Sequence, residues 1–251
     1  MTDGFLYSMT VFALPAVTTL ISLVFAGQVL SQYRERRRLH QLAWGLALLF
    51  YAIGAFPEVL GSISSWNDPD YRLYYLFGGI LVVPWLALGT AELQLQSERA
   101  RWARLTYRAF VAGITVLGVL GVAVASLHTE FLGGVKVPDH CALYCSGAHG
   151  YGPGNVMAFI AALVGNIVGT VVLVVGAAYS AVRTYRAGLA RNLTLGNVLI
   201  LVGALVVASA ASLTRFGVYE LFYAGQAAGI AIIFGGFLLI ATVTQPRTRL
   251  A

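Results

Sequence analysis

Seven long apolar runs follow one another along the chain, at 9–30, 41–63, 70–93, 109–128, 155–181, 193–214 and 220–243. Each reaches the roughly 20 residues that a helix needs to cross about 30 Å of hydrocarbon. Strand spans would be about 10 residues of alternating polarity. Runs such as Val171 to Ala178 do not alternate, so a β-barrel is excluded. The pattern predicts an all-α, polytopic membrane protein of seven transmembrane helices in one membrane domain, 1–251. The one long loop on the side opposite the basic connections covers 129–154.

Composition agrees. Of 251 residues, 59% are hydrophobic and only 10% charged, against about a quarter charged in soluble domains. Charge then orients the spans, because cytoplasmic loops keep basic residues. With the N-terminus outside, Arg34, Arg36, Arg37, Arg38, Arg99, Arg101, Arg104, Arg108, Arg183, Arg186, Arg191, Arg247 and Arg249 all face the cytoplasm. Of the 16 Lys and Arg, that leaves only Arg72, Lys136 and Arg215 outside. The expectation is N-out, C-in. The net charge of +6 is this bias, so nucleic acid is not an expected partner. The first span is read as a retained anchor, since Met1 to Ser8 carry Asp3 and no basic residue, unlike a signal n-region.

A candidate internal repeat relates 9–93 to 155–243, with 109–128 as a linker helix. Tyr33-Arg34 and Tyr185-Arg186 close corresponding spans, and Tyr71-Arg72-Leu73-Tyr74-Tyr75 parallels Tyr219-Glu220-Leu221-Phe222-Tyr223. Triplets separated by one helix would be parallel repeats (a 3+1+3 arrangement), as in one class of transporters. Gly165 and Gly169, and Gly225 and Gly229, have the spacing for close helix approach. Packing within the chain and homodimer formation both use such pairs.

Within the repeat, Arg72 corresponds to Glu220 and Glu58 to Arg215, each with the sign reversed. Ionisable residues at membrane depth pair or line cavities. These four, with Tyr75, Tyr223, Tyr51, Tyr71, Tyr219 and Gln226 beside them, make a candidate ionic and tyrosine pocket that opens outward. Trp85 and a kink expected at Pro84 lie deeper. The competing reading is a solvated rim, where tyrosine is enriched anyway. Asp68-Pro69-Asp70 resembles an N-cap, a first-turn proline and a dipole-compensating acid, which would hold Arg72 near water. Glu92 reads as a snorkelling interfacial carboxylate.

The long loop holds both cysteines. Cys141-x3-Cys145-x3-His149 resembles the copper-binding loop of cytochrome oxidase subunit II. That resemblance implies thiolate ligands at Cys141 and Cys145 and an imidazole at His149, with His140 or His128 completing the set. It covers about a dozen residues, and the methionine that follows in that family is Gly152 here. On the residues themselves, two cysteines on an oxidising face are expected to form a disulfide, Cys141 to Cys145, with metal binding and free thiols as the alternatives. Copper or zinc is therefore a conditional cofactor.

Other cofactors are excluded. The sole lysine, Lys136, is in the loop, so no retinal Schiff base forms in the bundle. Haem needs ligands within the bundle, and all four histidines lie at span ends or in the loop. The same distribution argues against an intramembrane zinc amidohydrolase, and no Pro-Gln motif of the three-plus-one-plus-three sugar transporters occurs. No catalytic dyad stands at membrane depth, so enzymatic activity is not expected. Ile167-Val168-Gly169-Thr170, Gly176-Ala177-Ala178-Tyr179-Ser180, Gly196-Asn197-Val198-Leu199-Ile200, Leu213-Thr214-Arg215-Phe216-Gly217 and the stretch Tyr71 to Gly89 resemble uncharacterised bacterial multi-pass membrane proteins. That resemblance implies the bacterial inner membrane and no particular activity. Three readings stay open: a small-molecule binder or transporter, a sensor acting through a cytoplasmic partner on the arginine-rich face, and an extracytoplasmic copper or redox site.

Overall fold

In a computed structural model the backbone is described for residues 2–138, 140–145, 150–188, 191–213 and 219–244, and the side chains for all of these except 2–9, 211–213, 219–220 and 241–244. Seven helices are long and apolar enough to cross a membrane. They are α1 (Thr2–Arg36), α2 (Leu39–Ser64), α3 (Asp68–Gln94), α4 (Arg101–Val124), α5 (Pro153–Arg186), α6 (Arg191–Leu213) and α7 (Tyr219–Thr244). No strand occurs among the described residues. Leu20, Val116, Val124 and Val175 are among many large apolar side chains that face outward. Such a surface suits lipid rather than water.

α4 starts at Arg101 rather than near 109 and stops at Val124 rather than 128. Its first two turns hold Arg101, Arg104 and Arg108, whose apolar stems extend a helix into the interface while the heads stay wet. Ala125 then turns extended, which frees 125–128 for the loop.

Helices α1, α2, α3, α5, α6 and α7 pack in that cyclic order, and α7 returns to α1. α4 stands outside the ring against α5 and α3. Glycines make the close approaches within the chain. A Cβ on Gly229 would meet the Gly203 carbonyl oxygen at 2.9 Å, and one on Gly169 would meet Pro84 N at 3.2 Å. Side-chain hydrogen bonds close where the chain has no backbone donor. Residues 74–81 of α3 form a π-helical turn just before Pro84. Proline lacks the N–H that would bond to Gly79 O, and Asn166 Nδ2 from α5 donates to that oxygen instead, at 2.7 Å.

α3 begins one residue earlier than the sequence pattern suggests. Asn67, not Asp68, is the N-cap: its Oδ1 accepts from Asp70 N at 2.9 Å and its Nδ2 donates to Asp70 Oδ2 at 2.7 Å. Asn satisfies the exposed N–H groups, and this leaves Asp68 inside the first turn. The bundle thus has a loop end, carrying 125–138, 140–145 and 150–152, and an arginine end.

Candidate functional site

Three polar clusters stand out. The most buried is on α2 at the loop end, where Glu58 follows Pro57 and is 2% exposed. Gln226 Nε2 on α7 donates to Glu58 Oε1 at 3.1 Å and Oε2 at 3.3 Å. Among the described residues no Lys or Arg lies within ion-pair distance of this carboxylate. The Tyr71 and Tyr74 rings are 6.1 Å apart, and Tyr71, Tyr74, Tyr75 and Tyr223 share one core cluster. Tyr71 and Tyr75 rings are 6.0 Å apart, and Trp66 meets Tyr74 edge-on at 5.4 Å. Tyr51 Oη and Trp66 Nε1 are buried without a hydrogen-bond partner in the described residues. Tyr71 and Tyr223 are each 1% exposed, while Tyr74 and Tyr75 are half-buried.

The sequence left Arg72 between this pocket and a solvated rim beside Asp68, and its side chain turns to Asp68 and the end of α4. Its Nε donates to Asp68 Oδ1 at 2.5 Å and its Nη2 to Asp68 Oδ2 at 3.1 Å. Nη2 also donates to Ala125 O at 2.9 Å and Nη1 donates to Val122 O. Arg72 thus clamps the C-terminal carbonyls of α4, where the helix dipole favours a cation. The i,i+4 spacing of Asp68 and Arg72 was the available signal. Of the other expected site residues, Tyr75 and Tyr223 pack in one core cluster with Tyr71 and Tyr74, whereas Arg215 and the Glu220 side chain fall outside the described residues.

At the arginine end, Glu92 is not a snorkelling carboxylate. Arg108 Nε donates to its Oε1 at 2.6 Å and Nη2 to its Oε2 at 2.7 Å. The carboxylate side chain is 7% exposed and the arginine 39%. Once α4 is extended to Arg101, Arg108 falls on the helix beside α3, and the two-pronged guanidinium fits the carboxylate.

The third cluster is in the loop. Cys141 and Cys145 form a close pair with sulfurs in bonding contact and Cα atoms 4.7 Å apart. His140 Nε2 is 3.9 Å from both sulfurs. His149 lies outside the described residues. His128 Nδ1 pairs with Glu130 Oε1 at 3.0 Å, and its ring packs on Tyr151 at 4.6 Å. The Glu130 carboxyl is held below the ordinary carboxylate value, first by its own backbone N–H and then by His128.

Sequence reasoning missed Asn155, which organises this loop from the start of α5. Fully buried, it accepts from Gly152 N at 3.1 Å and Ser126 N at 3.2 Å, and it donates to Ser126 O and Leu143 O, both at 2.7 Å. The loop is also tied to the Glu58 cluster, since Val137 N donates to Tyr223 Oη at 3.0 Å. No family model, curated protein or solved structure matches this chain.

Proposed function

We propose that the chain is a small-molecule binding or transport protein of the bacterial inner membrane, with its N-terminus and loop end outside. Glu58 is its charge-exchanging centre. One observation carries this reading: the Glu58 carboxylate is 2% exposed, with an amide as its partner and no cation in ion-pair range among the described residues. A buried carboxylate left charged without a cation is costly, so such groups mark ion and proton pathways in membranes. A proton or an incoming cation would neutralise Glu58. Tyrosine rings add a surface that favours organic cations. The reading is therefore an exchange at Glu58 between a proton and a small amine cation entering from the loop end.

Two further observations support it. The basic residues 34–38, 99–108 and 183–191 gather at one end, as the positive-inside rule requires of a cytoplasmic face. The ring order also fits a parallel repeat. A two-fold rotation taking α1, α2 and α3 onto α5, α6 and α7 keeps every neighbour relation and leaves α4 outside.

Solid-supported membrane currents from proteoliposomes test the proposal, with jumps in pH and in methylammonium as probes. Wild type is expected to give transient currents to both, and Glu58→Gln to lose at least 10-fold of each. Flat wild-type traces, or equal currents from Glu58→Gln, overturn it.

A further inference from the structure

We infer that His140, Cys141 and Cys145 form a thiol-gated site for a single soft metal ion, copper(I), at the loop end. The inference is independent of Glu58. The imidazole and sulfur ligand atoms lie within 4.8 Å of one another, and His140 Nε2 is equidistant, at 3.9 Å, from the two sulfurs. Metal bonds of ~2.3 Å to sulfur and ~2.0 Å to nitrogen in a trigonal plane set nitrogen and sulfur ~3.7 Å apart and the two sulfurs ~4.0 Å apart. The two nitrogen–sulfur edges, at 3.9 Å, are therefore already close to the required length, and the main change is separation of the sulfurs.

The backbone that carries them is held without the sulfur–sulfur bond. Ala142 and Leu143 are fully buried. Ala142 O accepts from His128 N at 3.0 Å, Leu143 O accepts from Asn155 Nδ2 at 2.7 Å, and Cys141 O accepts from Tyr151 Oη. A crosslink between residues four apart constrains little unfolded chain, since the entropy gain grows with the closed loop. The sulfurs can thus change partners while the turn stays in place. His140 is exposed, which gives an ion an approach.

The step balances with a dithiol reductant. The reductant gives two electrons and two protons, becoming a disulfide itself, and the Cys141–Cys145 bond becomes two thiols. Copper(I) then displaces the two thiol protons and is bound by two thiolates and the His140 imidazole. Two soft sulfurs and one nitrogen suit three-coordinate copper(I) rather than a hard cation.

The test uses full-length protein in phosphatidylcholine nanodiscs, anaerobically reduced, freed of reductant and titrated with copper(I) against bicinchoninate. Reduced wild type is expected to bind one equivalent, with copper-edge X-ray absorption showing two sulfur and one nitrogen neighbours, while the oxidised protein binds none. Cys141→Ser and Cys145→Ser should each weaken binding at least 100-fold. His140→Ala should weaken it at least 10-fold and remove the nitrogen neighbour at unchanged melting temperature. Absence of binding by the reduced wild type, an unchanged spectrum in His140→Ala, or tighter zinc than copper binding would each overturn the assignment.

Discussion

Gln226 and Glu58 meet across 168 residues of chain, with one amide nitrogen shared between both carboxylate oxygens at 3.1 and 3.3 Å. Both residues are buried, so each is the other's substitute for water. Leucine at 226 keeps most of the volume and removes the donor. Gln226→Leu is expected to cost about 1–3 kcal/mol, the usual penalty for a buried acceptor left unsatisfied. Glu58→Leu in that background should recover part of the loss. Thermal unfolding of the four proteins in detergent reads the coupling directly, and strict additivity of the single effects would show that the contact contributes nothing.

Glu92 and Arg108 join α3 to α4, a helix that otherwise touches the ring mainly through α5. Arg108→Gln leaves a carboxylate 7% exposed without its cation. Breaking a fully buried pair costs about 3–5 kcal/mol. Arg108 is partly solvated, which lowers the expected loss to roughly 1–3 kcal/mol. Glu92→Gln combined with Arg108→Gln removes both charges and should be milder than Arg108→Gln alone. A double variant no more stable than the single would exclude the pair as the cause.

The seven spans were legible because hydropathy over 20 residues is a bulk property, and lipid admits few other solutions. That Tyr75 and Tyr223 meet in one cluster was legible for a related reason: polar side chains are rare in these helices, and those near one helix end share a membrane level. Partner choice was not legible. Arg72 had an acid one turn away in Asp68 and open carbonyls at the end of α4, and its guanidinium bonds to both. Glu92 depended on where α4 begins, and hydropathy places that boundary poorly because arginine stems are apolar and their heads are not. Asn155 was invisible for a third reason. Its bonds to Ser126 and Leu143 need the loop's tertiary path, which no local pattern encodes.

Asn155 offers the sharpest test of the loop. Its side chain makes four hydrogen bonds that tie residues 126, 143 and 152 together. Asn155→Ala strands the Leu143 carbonyl, whose residue is fully buried, and should cost about 2–3 kcal/mol. Asn155→Asp keeps the acceptor oxygen and loses the donors, so it should fall between. Limited proteolysis should cut the 129–152 segment faster in Asn155→Ala than in wild type, with Asn155→Asp intermediate. Equal cleavage rates would mean the loop is held by something else.

The pair between His128 and Glu130 should make that same loop acid-sensitive. Glu130 is held below the ordinary carboxylate value of 4.5, mainly by its own N–H and secondarily by His128. A lowered folded-state value contributes stability that is present above the ordinary value and is lost as pH falls through the lowered one. Protection of 129–131 from an acid-tolerant protease should therefore hold at neutral pH and decline below about 4.5. Glu130→Gln should flatten this dependence by removing the titrating group. Because the carboxylate is exposed, salt should weaken the His128 part and leave the backbone part nearly unchanged. A wild-type profile that stays flat across that window, or one that Glu130→Gln does not alter, would remove Glu130 as the source.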